Sequence, residues 1–160
     1  MTSDREYFSV ALSPEIDLAI PLNTMGAVIQ IETPNICIIP GVANFWHGTV
    51  NFKGSLLWIL DSNLYFKLNN QQERYNNKYT AVIVKQDRLD NSRKIALIVT
   101  KLQGIIALNP EHSEQFTKNS ESTLEQCCSV LTKDETKQIF ILNPMELLTQ
   151  LYQHSALVSA

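Results

Sequence analysis

Cysteine is too scarce to staple this chain. The three residues Cys37, Cys127 and Cys128 cannot pair off and show no metal-ligand spacing, and the adjacent two cannot bridge without strain. A reducing cytoplasm is the expected setting, and folding has to rest on apolar burial. Charge is also sparse, at 18% of residues with a formal net charge of -3, so no positive field draws in the phosphates of nucleic acid. No apolar run approaches the roughly 18 residues needed to cross a bilayer, and Asp4, Arg5 and Glu6 stand where a signal segment would be apolar. The expectation is a soluble, unprocessed chain with no direct membrane insertion. Gly26, Gly41, Gly48, Gly54 and Gly104 form neither a Walker loop nor a dinucleotide fingerprint, which leaves nucleotide binding without support. His47, His112 and His154 stand isolated, without a second ligand at zinc-motif spacing, so neither metal nor cofactor is expected.

What is present is 44% hydrophobic residues in 160, enough to bury a core in one domain or two mutually supporting lobes. Short β-branched and aromatic runs recur. Glu6 to Leu12 and Asp17 to Leu22 read as strands about Pro14 and Glu15. Asn23 and Thr24 suit the cap of a short helical turn that would gather Met25, Val28 and Ile29 on one face. Ile36 to Ile39 reads as a buried strand closed by Pro40 and Gly41, with Phe45 and Trp46 on a surface turn. Thr49 to Asp61, interrupted at Lys53 and Gly54, reads as a hairpin, and Ser62 to Leu68 as a short helix that Ser62 could cap.

The polar stretch Asn69 to Lys78 is the clearest composition shift and the expected lobe boundary. Beyond it Tyr79 to Val84, Lys94 to Thr100 and Gly104 to Leu108 read as strands, and Pro110 to Glu125 as a surface loop with one helical turn. Cys127 to Leu131 and Gln138 to Leu142 form a closing hairpin, and Pro144 opens a C-terminal helix with Met145, Leu148 and Leu151 on one face. Some ten short strands without long crossover helices make a mostly β protein of small closed or nearly closed barrels.

No local signature marks a catalytic residue. A cysteine–histidine nucleophile assembled by folding stays open as the alternative of a small hydrolase, beside the plainer reading of core thiols. Asp61 reads as a helix cap, with a glycosidase-type carboxylate as the sharper option. Trp46 and Trp58 raise a β-rich carbohydrate-binding module, which needs an accessible indole, although Trp58 lies inside an apolar strand.

Residues 39 to 68, IPGVANFWHGTVNFKGSLLWILDSNLYFKL, carry a sharper signal. A proline-bearing turn, an aromatic, a glycine, a strand into Asn-x-basic-Gly, an apolar strand and an Asp before a short helix follow one another. The positions are Pro40, Phe45, Gly48, Asn51, Lys53, Gly54 and Asp61. AIPLNTMGAVI upstream, and KIALIVTKLQGIIAL with QIFILNPMELL downstream, extend the pattern from about Tyr7 to Leu151. In this order the chain resembles the CheW-like family of chemotaxis coupling proteins (CheW and PilI-type adaptors). Arginine is usual there at Lys53, an acidic residue at Ala27 and Asp at Asn143, so the resemblance is to a divergent member.

The resemblance implies a mostly β fold of two SH3-like five-stranded β-barrel lobes with short connecting helices and a C-terminal helix. Residues 1–160 would form a single domain, with a first lobe about 13–68 and a second about 79–142 followed by the helix 144–154. It also implies a non-catalytic adaptor in a chemotaxis or motility two-component pathway. Its partners would be the regulatory domain of a CheA-type histidine kinase and the cytoplasmic tip of a methyl-accepting chemoreceptor. The setting would be cytoplasmic, joined to membrane receptor arrays through those partners. Kinase-side candidates are Met25, Val28 and Ile29. Receptor-side candidates are Phe45, Gly48, Asn51 and Lys53, with Val82 and Ile98 lining a groove between lobes.

Overall fold

The computed structural model of the protein describes residues 4–68, 77–86, 93–115, 122–132 and 136–154. The β-branched runs pair into two sheets. The five-stranded one, here the first sheet, holds β3 (Met25–Glu32), β4 (Trp46–Phe52), β5 (Ser55–Asp61), β6 (Lys78–Lys85) and β7 (Lys94–Val99), in the order β3-β6-β7-β5-β4. The second is built from β1 (Arg5–Ser13), β2 (Ile16–Pro21), β8 (Lys101–Leu108), β9 (Glu114–Gln115), β10 (Cys128–Thr132) and β11 (Gln138–Leu142), in the order β8-β1-β2-β11-β10-β9. Neighbours are antiparallel except β5 with β7 and β2 with β11, which run parallel.

Most central strands bury both faces, which is why they read as continuous apolar runs rather than alternating ones. In β6, Ala81 and Ile83 point into a small core within the first sheet, while Val82 and Val84 join the large core. Ile29 and Ile31 of one edge strand and Val50 and Phe52 of the other meet that same small core, so the sheet curls on itself. Tyr7, Ala19, Ile139 and Ile141 form the inner core of the second sheet. The large core lies between the sheets, where Val10, Leu18 and Ile20 meet Leu60, Val84, Ile95 and Leu97. Three short helices close it: α1 (Ser62–Phe66), α2 (Thr123–Cys127) and α3 (Pro144–His154).

The chain passes between sheets twice through tight, bonded crossings. A 3-10 turn at Leu22–Thr24 leads from β2 to β3, with the Thr24 hydroxyl donating to the Pro21 carbonyl at 2.8 Å. Thr100 alone separates β7 from β8, and it donates its N–H to Ala11 O at 2.8 Å and its hydroxyl to Leu12 O at 3.1 Å.

A mostly β, two-sheet architecture with short helices agrees with the expected fold class. The sheets nevertheless do not divide the chain at residues 69–78. Strands on both sides of that stretch share the first sheet, and the N-terminal hairpin belongs with 101–142, where the sequence places lobes at 13–68 and 79–142. Residues 69–76 of that stretch lie outside the described residues, and sheet membership is set by pairings such as β3 with β6 that span it.

Other local expectations change too. Ile36 to Ile39 is no buried strand: Cys37 makes a lone bridge to Thr49 and Ile38 is 79% exposed. Flanking prolines, Pro34 and Pro40, deny it a continuous ladder. Trp46 is buried at the start of β4 rather than on a surface turn. In α3 the buried face is Leu147, Leu148 and Leu151, with Met145 turned outward.

Candidate docking surface on the first sheet

The β4–β5 hairpin turns on two residues. Lys53 (φ 50°) and Gly54 (φ 81°) are both left-handed, as a two-residue loop between right-twisted strands requires. The Asn51 carboxamide oxygen accepts the Gly54 N–H at 3.0 Å and locks the turn. Asn51, Lys53, Gly54, Ser55 and Leu56 are exposed, and Lys53 Nζ lies 5.3 Å from the centre of the Phe52 ring. Leu56, 67% exposed, is the member of this surface that the sequence hides, because Ser-Leu-Leu-Trp-Ile-Leu reads as uniform core.

The base of the hairpin is fixed by a bulge. Trp46 pairs with Leu60 and Gly48 with Ile59, which leaves His47 as an extra residue on β4. Its Nε2 reaches Asp61 Oδ2 at 2.6 Å, and its ring meets Tyr79 edge-on at 4.9 Å. Asp61, and not Ser62, caps α1, accepting the Leu64 N–H on Oδ1 at 3.0 Å. Burial pushes the Asp61 carboxyl up, but hydrogen bonds from His47 and from the Leu64 and Asn63 N–H groups, with the nearby imidazole charge, hold it below the usual carboxylate range. Sequence reasoning left His47 isolated because its partner stands across the hairpin and only the bulge brings them together.

Asp61→Ala removes both a cap and a pairing partner, so a loss of about 1–2 kcal/mol at neutral pH is expected from urea unfolding. A lowered folded-state pKa gives stability that is present above the unfolded value of about 3.9 and lost as pH falls through the folded one. The difference between wild type and variant should therefore shrink on acidification into that range. A constant difference down to acid unfolding would contradict this role for Asp61.

Aromatic rings tie the hairpin to the core. Phe45 lies 4.8 Å from Tyr65 of α1 and 5.5 Å from Trp46, which in turn stacks edge-on with Trp58 at 5.4 Å. With Trp46 buried and Trp58 packed on the large core, neither indole presents the open platform of a carbohydrate-binding module. Cys127 and Cys128 are buried, which raises the Cys127 thiol to about 12 and the Cys128 thiol well above its ordinary value. Burial thus disfavours the thiolate that a hydrolase nucleophile would need at either position. Among the described residues, no three His, Cys, Asp or Glu side chains gather to hold a metal.

The expected kinase-side face does not form as read. The 3-10 turn ends at Thr24, and Met25, Val28 and Ile29 lie in β3, where exposure alternates. Met25 packs on the large core and Ile29 on the small one, leaving Val28 as the exposed member. A strand forms because β6 supplies a ladder to residues whose β-branching disfavours a helix. On the receptor side, Asn51 and Lys53 are exposed, Phe45 is half-buried and Gly48 is buried. Val82 and Ile98, assigned to a groove between lobes, lie on opposite faces of the first sheet. Val82 is wholly enclosed in the core between the sheets, and Ile98 packs on the small core of the first.

The sequence model of the CheW-like domain family matches residues 6–151. Among solved structures, the scaffolding protein TtCheW from Thermoanaerobacter tengcongensis superimposes with a TM-score of 0.68 at 18% identity, over 88% of this chain and 89% of that one. At that identity the likeness is one of fold. A comparison with curated proteins gives no match.

Proposed function

The chain belongs to the CheW-like domain family, and on that premise we propose that it is a non-catalytic adaptor coupling chemoreceptors to a CheA-type histidine kinase. The observation that carries this reading is Lys53. A long cationic side chain is held in the left-handed region at an exposed hairpin tip, where asparagine or glycine would sit at less cost. Local strain of this kind is held by the surrounding structure and clusters at functional sites. The family usually has arginine here. Lysine keeps the charge while giving up the planar fork, which suits a receptor contact made through a point charge.

On this reading Asn51, Lys53 and the neighbouring Leu56 meet the receptor tip, and Phe45 and Gly48 support them from beneath. Val28 offers an apolar contact to the kinase, with Met25 and Ile29 anchoring its strand. Such an adaptor works by effective concentration: holding kinase beside receptor turns a weak contact into an intramolecular one. Signal passes when the shared surfaces bind one kinase state more tightly than the other. Among the described residues no helix is long and apolar enough to cross a membrane, so the proposed link to receptor arrays runs through partners.

Two substitutions separate display from stability. Lys53→Asn should raise stability by about 0.5–1 kcal/mol by relieving the turn, and Lys53→Glu should leave the thermal midpoint nearly unchanged. Both should weaken capture of receptor and kinase from native-cell extract, Lys53→Glu by about tenfold or more, equivalent to about 1.4 kcal/mol. Unaltered capture by both variants would remove Lys53 from the contact. Failure of the wild-type chain to retain any sensor histidine kinase would defeat the adaptor reading itself.

A further inference from the structure

We infer that the His47–Asp61 pair is a proton-operated latch, joining the base of the β4–β5 hairpin to the start of α1 and so setting how the hairpin tip is presented. The inference deepens the adaptor reading by giving its docking hairpin a control. It stands on geometry. His47 is the extra residue of a bulge, which turns its ring out of the strand alternation and onto Asp61 at 2.6 Å. Asp61 is shared, one oxygen on the imidazole and the other on the Leu64 N–H that opens α1. Both side chains are about one-fifth exposed, 22% and 20%, so protons reach them from solvent.

Two groups face the imidazole. Asp61 approaches from the end of β5, and the Tyr79 ring from β6, at 4.9 Å and 67°. On its own hairpin the cation Lys53 sits at the opposite end, beyond the Phe52–Ser55 pair. An imidazolium bonds the carboxylate with full opposite charge, whereas a neutral ring holds it through one tautomer alone. Protonation therefore tightens the corner, and loss of the proton leaves the weaker hold of a neutral donor between the hairpin base and α1.

Heteronuclear NMR of the full chain, from about pH 5 to 8 where imidazole ordinarily changes charge, tests the latch. The amides of Asn51, Gly54 and Leu64 are expected to shift with one midpoint, that of the His47 ring. This common titration should vanish in His47→Gln, which keeps an amide donor without a titrating group. Amides that stay still while the ring titrates overturn the inference, as does a ring that does not titrate in this range or a common titration that survives in His47→Gln. Should that variant fail to fold, Asp61→Asn serves: the ring should titrate while Leu64 no longer follows, and a Leu64 that still follows overturns it. The chain is studied alone, so a negative outcome here leaves the adaptor reading untouched, and failed kinase capture leaves the latch standing.

Discussion

Replacing Gly48 by alanine is expected to cost about 2–6 kcal/mol, a fall in thermal midpoint of roughly 5–20 °C. Gly48 has φ 135°, which a side chain rarely adopts, and a Cβ there would lie 2.2 Å from the Cys37 carbonyl oxygen. That oxygen cannot simply swing away, because it accepts the Thr49 N–H at 2.9 Å while Cys37 donates its own N–H to Thr49 O at 2.8 Å. The segment around Cys37 is thus laid against β4 at a point where only a hydrogen fits. Gly54→Ala makes the control: its φ of 81° is also left-handed, but nothing lies within 4 Å of the added atom. It should cost about 1 kcal/mol. Equal losses in the two variants would show that backbone conformation, and not the close approach, is what Gly48 serves.

The other large effect belongs to the core between the sheets. Leu97 is fully buried there, in the same cluster as Val10, Leu18 and Ile20 of the second sheet. Leu97→Ala should destabilise by about 2–5 kcal/mol, since transfer energy is lost and a cavity remains. The more telling expectation concerns cooperativity. Because the two sheets share this core, tryptophan fluorescence, which reports Trp46 and Trp58 of the first sheet, should follow the same transition as far-ultraviolet circular dichroism, which reports both. Two separated transitions in the variant would mean that each lobe stands by itself.

Where strands bury both faces, the sequence was readable, because Val, Ile and Leu runs such as those of β6, β7 and β11 have no polar alternative. The hairpin about Lys53 and Gly54, the short helix after Asp61 and the helix at Pro144 were also legible, through turn residues and capping chemistry. The failures have a shared physical origin. Apolar residues at 25, 28 and 29 fit a helical face and a strand about equally, and only the ladder with β6 decides. Ile36 to Ile39 has strand composition but gains a single bridge, so composition overstated its burial. Of the proposed docking surface, Asn51 and Lys53 were named from the motif. Leu56 and the His47–Asp61 pair were not, since one depends on where the sheet ends and the other on a bulge. Val82 and Ile98 part to opposite faces, which a period-2 pattern does not reveal for two residues on different strands.

The interleaving of the sheets along the chain orders events on the ribosome. All five strands of one sheet have been made by Val99, whereas β1 and β2, translated earlier, lack their flanking partners until β8 and β11 are made. Val10, Leu18 and Ile20 meet part of their enclosure as the early sheet forms and the rest once β11 and α3 arrive. A nascent polypeptide of this design carries an incompletely covered apolar hairpin through much of its translation, the kind of surface that chaperones bind.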